Sequence, residues 1–175
     1  MKKLITLLIV LALATGGVFA AEASFDITTT VAPINGMKIT TAKFTGSTLE
    51  ALNNASGVSS YTVTKSGYQS NFSGWISVVS NNREGYKVTM SATAMTSTVG
   101  TTTSYINYTV FFGTQLTFTT NGAAQVSPIT VLEKSSLTSL SGNSREIGLD
   151  IDPTSFNNAV EGQYTGTVTF TFQAN

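Results

Sequence analysis

The pair of residues best placed for chemistry is Asp150 and Asp152, near the C-terminal end of the chain. Residues two apart on a β-strand share a face, so both carboxylates would project together, as acid and base catalysis or calcium binding requires. Asp152 also precedes Pro153, and aspartate at the end of a strand commonly begins a turn. We therefore expect a structural role for this pair, and the sequence predicts no catalytic and no metal site.

The composition removes most other catalytic groups. The chain has no histidine and no cysteine, so it cannot form a Ser-His-Asp triad, a thiol nucleophile, or a zinc site with histidine or cysteine ligands. Disulfides are excluded as well, and the stability of the fold must come from packing and strand pairing. We predict that the protein is not an enzyme and uses no cofactor.

The strongest structural pattern lies at the C-terminus, where threonines alternate with apolar residues. A period of two in β-branched and aromatic residues is typical of an antiparallel strand with one buried and one solvated face. Because an edge strand has one free side, another chain can pair with it. We predict a C-terminal edge strand that takes part in assembly through Gly162, Tyr164, Val168, Phe170 and Phe172, with Gly166 in the same register and Thr165, Thr167, Thr169 and Thr171 facing the solvent.

The first residues have the pattern of a secretory signal peptide. Lys2 and Lys3 precede an uncharged apolar run over residues 4–14, and small residues follow at Ala20 and Ala21. The run is too short to span a bilayer comfortably, so a cleaved signal fits better than an uncleaved anchor. We predict export, cleavage after Ala20 with Ala21 as the alternative, and no membrane-spanning segment in the mature chain.

Removing residues 1–20 leaves 155 of the 175 residues, enough for one domain with its own core. Two of the nine basic residues, Lys2 and Lys3, leave with the signal, so seven remain against nine acidic residues, a net charge of about −2. This balance argues against nucleic acid and anionic membranes as partners. We predict an N-terminal strand within residues 21–33 and a single domain over residues 34–175.

Short candidate strands recur along the chain with turn signals between them, which is typical of an all-β sandwich or barrel. We predict an all-β fold, a single immunoglobulin-like antiparallel β-sandwich. Its strands are expected at residues 25–31, 37–44, 61–63, 72–80, 86–93, 105–112, 116–118, 128–132, 145–151 and the C-terminus. The other expected features are a turn at Asn35 and Gly36, a helical turn at 49–52, a hairpin of 72–80 with 86–93, and a surface loop at 96–104.

Aromatic residues are the feature that would favour glycan binding. Trp75 lies in the most apolar predicted strand, so we expect it in the core and not in a lectin-like site. Tyr61 and Tyr68 fall within the loop-rich residues 58–74, where function is normally placed on this architecture. An exposed aromatic or polar pocket in residues 58–74 or 96–104 would therefore indicate an adhesin, whereas an unpaired groove beside the C-terminal strand would indicate polymerisation.

The two ends of the chain resemble a known family. The chain opens with Phe-Asp-Ile-Thr-Thr-Thr-Val-Ala-Pro over residues 25–33 and closes with Gly-Gln-Tyr-Thr-Gly-Thr-Val-Thr-Phe-Thr-Phe over residues 162–172. In this it is similar to bacterial fimbrial subunits of the alternate chaperone and usher class, and it also resembles spore coat protein U-like secreted domains. Such pilins carry a glycine fourteen residues from the end, which Gly162 matches, whereas their aromatic penultimate residue is replaced by Ala174.

The resemblance implies a mechanism. Fimbrial subunits polymerise by β-strand addition, in which each subunit lacks one edge strand and the N-terminal strand of the next subunit fills the groove. The donor strand here would present Phe25, Ile27, Thr29 and Val31, which alternate and precede Pro33. The implied partners are further copies or other fimbrial subunits, a periplasmic chaperone and an usher, and the implied location is the cell surface or the periplasm.

Two alternatives remain at this stage. Residues 25–31 fit equally well as the first strand of a complete domain. The chain also fits a monomeric surface adhesin that binds a glycan or a host protein through its loops. A structural fimbrial subunit is the interpretation that we favour.

Overall fold

The structure, a computed structural model, describes residues 25–113 and 116–175. The predicted signal peptide and its cleavage site lie outside the described residues. The chain divides into two compact units, Met1–Val31 and Ala32–Asn175.

The described part of the first unit, residues 25–31, has no helix and no strand. Its apolar side chains are exposed, with Phe25 at 83%, Ile27 at 85% and Val31 at 77%. The strand predicted here is therefore not formed within the described residues. The physical reason is that an extended segment becomes a strand only when a neighbour accepts its backbone hydrogen bonds.

The second unit is all-β, as predicted, and every strand pair in it is antiparallel. The described residues contain two short helices, α1 (Leu49–Asn54) and α2 (Pro153–Asn157). The strands are β1 (Asn35–Thr40), β2 (Gly67–Tyr68), β3 (Gly74–Ser80), β4 (Tyr86–Ala92), β5 (Met95–Val99), β6 (Thr102–Ile106), β7 (Tyr108–Phe112), β8 (Leu116–Thr119), β9 (Ile129–Lys134), β10 (Ser141–Ile151) and β11 (Val168–Ala174).

The strands form three sheets. The main sheet has the order β1-β3-β10-β7-β8, with β2 paired to β10, and the second sheet has the order β11-β4-β9. Strands β5 and β6 form a separate hairpin. Because β10 has eleven residues, it pairs with β3 along its first part and with β7 and β2 along its last part.

One hydrophobic cluster joins the main sheet to the second sheet. In β3 the residues from Ile76 to Ser80 are all buried, as its nearly continuous apolar run predicts, whereas in β4 alternate residues are buried, as its alternating pattern predicts. Arg145 of β10 bridges the two sheets, because its guanidinium donates to the carbonyl oxygens of Val131 in β9 at 2.6 Å and Phe112 in β7 at 3.3 Å. The cluster includes Ile76, Val78, Tyr86, Val88, Met90, Tyr108, Val110, Phe112, Phe118, Val131, Ile147 and Ile151.

The helical turn predicted at residues 49–52 is confirmed as α1. The Thr48 hydroxyl accepts a hydrogen bond from the Ala51 amide and caps the first turn. At the other end, the Lys38 ammonium donates to the carbonyl oxygens of Asn53 and Ala55, where the helix dipole favours a positive charge.

The predicted hairpin of residues 72–80 with 86–93 is wrong. Both edges of β3 are occupied, by β1 and β10, so the chain crosses to the second sheet at β4. The turn between them contains Gly85 with φ of +81°, and a Cβ there would collide with the Lys134 carbonyl. Glycine is therefore required at position 85, where the chain passes from the main sheet to the second sheet. The local sequence alone predicts a hairpin turn at this point.

Other expectations about loops and strands also need correction. Residues 96–104 are not a surface loop but most of the β5–β6 hairpin, because threonine, a β-branched residue, favours strands. Asn35 and Gly36 begin β1 and do not form a turn, because they pair with Ser80 and Val79. Residues 61–63 belong to no strand, although the Val63 side chain packs against the core cluster.

Candidate assembly groove

Strand β11 lies at the edge of the second sheet, paired with β4 on one side only. Among the described residues, no strand pairs with its other side. The predicted C-terminal edge strand is confirmed in this respect, but it begins at Val168 and not at Gly162. Before it, Thr165 makes an isolated bridge to Thr96, with hydrogen bonds of 3.0 Å in both directions.

The free edge of β11 belongs to its even-numbered residues. Thr165 bonds to Thr96, and the Thr167 carbonyl accepts from the Thr93 amide at 3.0 Å, so odd-numbered residues direct their backbone groups toward the β4 side. Consecutive residues of a strand direct their N–H and C=O groups to opposite sides. The backbone groups on the free edge are therefore those of Gly166, Val168, Phe170 and Phe172.

The same even-numbered residues direct their side chains toward the core. Phe172 stacks on Tyr86 with ring centroids 5.4 Å apart, and Phe170 meets Phe112 edge to face at 6.3 Å. Both β11 rings are half-buried. The threonines of β11 are exposed, as the alternation predicts, so one set of residues combines free backbone groups with accessible apolar side chains.

A groove of about 870 Å³ opens between β11 and the inner face of the main sheet. We call it the β11 groove. Its lining is mostly apolar and comes mainly from β1, β7, β10, β11, α2, the segment before β11, and residues 58–63 and 72. The principal lining side chains are Ile39, Val58, Tyr61, Val63, Phe72, Tyr108, Ile147, Leu149, Ile151, Phe156, Tyr164, Val168 and Phe170.

Residues 58–63 form the rim of the groove opposite β11. The Val58 amide donates to the Ile39 carbonyl at 2.9 Å, and the Tyr61 ring meets Phe72 edge to face at 5.1 Å. The Tyr61 hydroxyl donates to the buried side chain of Gln69 at 3.3 Å. The rim is therefore held by one backbone hydrogen bond at Val58 and by the side chain of Tyr61, and among the described residues the backbone of 59–64 makes no hydrogen bond to other backbone groups.

Tyr108 fixes the wall of the groove beside the start of β11. Its hydroxyl donates to the Thr93 carbonyl at 2.8 Å, and the Thr93 amide in turn bonds to Thr167. Burial raises the pKa of Tyr108 to about 12 because the phenolate would lose its hydration. The residue is therefore neutral at ordinary pH and acts as a hydrogen-bond donor.

The glycines of the predicted assembly strand lie in two different environments. Gly162 is exposed and borders the groove before the chain reaches Thr165. At Gly166 a Cβ would lie 2.9 Å from the Thr93 carbonyl oxygen and 3.0 Å from the Met95 side chain. A side chain at position 166 would thus push against the β4 side of the strand.

The other candidate chemical residues have structural positions. Asp152 caps α2 by accepting a hydrogen bond from the Ser155 amide at 2.8 Å, and bonds from Ser155 hold the pKa of its carboxyl below its ordinary value. Asp150 is exposed. Trp75 lies half-buried outside the core cluster, which corrects the prediction of a core position, because its side chain falls on the opposite face of β3 from Ile76 and Val78.

Sequence reasoning found β11 but missed the rest of the groove. Ile39, Leu149 and Tyr61 come from distant parts of the chain and meet only in the folded unit. The local signal was present, since Tyr61 and Val63 alternate with polar residues, but it was interpreted as an ordinary strand.

No protein-family model, no curated protein and no solved structure matches this chain. No helix among the described residues has the length and hydrophobicity needed to cross a membrane. The case for a function therefore depends on the β11 groove and on residues 25–31.

Proposed function

We propose that this chain is an exported structural subunit of a bacterial surface fimbria or a similar assembly, and that it polymerises by β-strand addition. Residues 25–31 of one copy enter the β11 groove of the next copy and pair with the free edge of β11. The incoming strand supplies backbone hydrogen bonds, while Phe25, Ile27, Thr29 and Val31 face the groove.

One observation carries the proposal: an edge strand with free backbone groups borders an open apolar groove in a chain that also has an alternating, exposed apolar segment. Exposed apolar residues in monomeric proteins are usually scattered singly. Here Phe25, Ile27 and Val31 lie two or four residues apart and are each more than three-quarters exposed. A strand with this pattern is what the groove and the free edge would accept.

The same proposal includes the type of fold, the export of the chain and its assembly partners. The main sheet and second sheet form one immunoglobulin-like sandwich that lacks an edge strand beside β11. Residues 1–20 direct export and are removed, and the cell surface or the periplasm is the destination. A periplasmic chaperone and an usher are the proposed assembly partners, because an exposed groove and strand edge would otherwise aggregate before assembly.

The proposal is tested with the mature chain lacking residues 21–33, alone and with a synthetic peptide of those residues. Light scattering after size-exclusion chromatography gives the oligomeric state, and thermal unfolding gives the stability. We expect the truncated chain to be monomeric and unstable, and the peptide to bind at one copy per chain and raise the unfolding temperature.

The matched control is the same peptide with Ile27 replaced by Asp. This change keeps the length and the backbone hydrogen bonds but places a charge in the apolar groove, so binding should be lost. A truncated chain that stays stable and binds neither peptide would disprove strand addition through residues 25–31.

A monomeric adhesin is the second candidate. It is favoured by a small cleft of about 280 Å³ beside the outer face of β4 and β11. Among the described residues that line the cleft none is charged, and Thr93, Thr96, Tyr105 and Thr167 present hydroxyl groups, which suit a neutral glycan. Binding of the full chain to an immobilised glycan set, weakened by Tyr105→Ala, would support this function over assembly.

A further inference from the structure

We propose that the incoming strand runs antiparallel to β11, with Phe25 beside the aromatic pair of Tyr61 and Phe72 at one end of the groove and Val31 beside Tyr164 at the other. This inference rests on the proposed function, and it adds the orientation, the register and the pocket that selects the donor. The partner is a second copy of this chain.

The two ends of the groove can be followed along β10. Phe72 packs over Gly74, and Gly74 pairs with Ile147, so the pair of Tyr61 and Phe72 lies at the Ile147 end. At the opposite end, Ile151 pairs with Tyr108.

Strand β11 runs between the same two ends. Phe170 contacts Phe112, and the preceding residue of β7, Phe111, pairs with Gly148, so Phe170 lies at the Ile147 end. The Tyr108 hydroxyl bonds to Thr93, which bonds to Thr167, and this connection places the start of β11 and Tyr164 toward the Ile151 end. The chain therefore approaches the aromatic pair as it passes from Tyr164 to Phe170.

The donor segment is as long as the stretch of groove edge between Tyr164 and Phe170, within a lining that begins at Gly162. Residues 25–31 and residues 164–170 each contain six residue-to-residue steps, which in an extended strand is about 20 Å. A donor that covers this stretch from Tyr164 to Phe170 can adopt two arrangements, one parallel and one antiparallel to β11.

The antiparallel arrangement matches the side chains better. It places the donor's only polar inward residue, Thr29, opposite Gly166, which has no side chain, and Ile27 opposite Val168. Phe25 then faces Phe170 next to the aromatic pair, where ring contacts are available. The parallel arrangement would set Thr29 against Val168 and leave Val31, a smaller side chain, at the aromatic end.

The rest of the fold favours the same direction. Every described strand pair is antiparallel, including the pairing of β11 with β4. Antiparallel pairing directs hydrogen bonds perpendicular to the strands and is slightly more stable per residue than parallel pairing.

The absence of cysteine permits a direct test by disulfide formation between copies. One full mature chain carries Asp26→Cys, and a second carries either Thr169→Cys or Thr165→Cys. All three positions are exposed, so a thiol at each of them is accessible. In the antiparallel register Asp26 lies opposite Thr169, where the Cα atoms would be about 4.5 Å apart, within the range that a disulfide spans.

We expect the Asp26→Cys copy to form a disulfide with the Thr169→Cys copy about tenfold or more faster than with the Thr165→Cys copy, read as covalent dimer on a non-reducing gel. Thr138→Cys, an exposed position outside the groove, measures the collisional background. The opposite preference would overturn the orientation but keep strand addition. If neither copy exceeds the background, both the orientation and the proposed function fail.

A second measurement tests the pocket itself. Two peptides of residues 21–33, the natural one and its Phe25→Ala form, are bound to the chain lacking those residues. Each peptide is measured against the unchanged chain and against the same chain carrying Tyr61→Leu. We expect the loss caused by Phe25→Ala to be several-fold smaller on the Tyr61→Leu groove, because the two residues share one pocket. Equal losses on both grooves would place Phe25 elsewhere.

Discussion

The two sides of β11 differ although they belong to the same strand. On the β4 side, seven residue pairs form a continuous ladder, and Phe172 stacks on the buried Tyr86. On the other side, the backbone groups of alternate residues have no partner strand among the described residues, and the apolar side chains border the β11 groove. The difference shows that one strand can be closely packed along one edge and open along the other.

The largest expected effect contrasts a residue of the closed core with one of the open groove. Phe112 is 1% exposed and contacts both Phe170 and the Arg145 guanidinium. Phe112→Ala should lower the free energy of unfolding by about 3–5 kcal/mol. Leu149→Ala, at the half-buried floor of the groove, should cost less than about 2 kcal/mol, because the side chain already borders open space.

Urea denaturation of both variants measures this contrast. Leu149→Ala should weaken binding of the peptide of residues 21–33 even though it costs little stability. Equal losses of stability in the two variants would mean that the groove is packed as closely as the core, which would contradict an open receptive side.

The second-largest expected effect concerns Arg145, which lies in the packed core and not in the groove. Arg145→Met removes two charge-assisted hydrogen bonds to the carbonyl groups of Val131 and Phe112 and should lower the free energy of unfolding by about 1–3 kcal/mol. Arg145→Lys keeps the charge without the planar fork and should recover only part of the loss. Peptide binding to the groove should be unchanged in both variants, and a large loss of binding would link the two sides of β11.

The pH dependence of stability tests the hydrogen bond from the Tyr108 hydroxyl to the Thr93 carbonyl in the wall of the groove. Its folded pKa of about 12 lies above the unfolded value near 10, so the folded state holds the phenol proton more tightly. Its contribution is therefore complete below pH 10 and is lost as the pH rises from about 10 toward 12.

Tyr108→Phe should lower the free energy of unfolding by about 1 kcal/mol at pH 8, because the hydrogen bond to Thr93 is lost. The same variant should show a smaller decrease in stability between pH 9 and 11 than the wild type. Tyr68→Phe, at a position that is 56% exposed, is the matched control. An unchanged pH profile in Tyr108→Phe would assign the alkaline loss to other tyrosines.

The smallest effect concerns α2, which follows β10 beside the Ile151 end of the groove. Asp152→Ala removes the cap and should cost about 1 kcal/mol, whereas Asp152→Asn should cost less because the amide oxygen can still accept the Ser155 bond. The folded pKa of Asp152 is lowered, so its stabilisation is present above the unfolded pKa and is lost as the pH falls through the folded value. The difference between wild type and Asp152→Ala, measured by urea denaturation, should shrink at pH 2.

Local patterns predicted several elements well. The alternation of threonine with apolar residues identified β11, and the run from Trp75 to Val79 identified β3. The same patterns failed where pairing partners had to be chosen, because β3 and β4 were each predicted correctly as strands yet lie in different sheets. A period of two determines which face of a strand is buried, but it contains no information about the neighbouring strand.

The amino-acid sequence by itself determined the all-β class, the lack of histidine and cysteine chemistry, the two faces of β11 and a structural role for Asp152. These features depend on residue type and on neighbours a few positions away. The tertiary structure alone decided which edge of β11 stays free, that Ile39, Tyr61 and Leu149 line one groove, and that Trp75 lies outside the core. Such features arise from contacts between residues far apart in the chain, and their free energies are settled only when the whole core is packed.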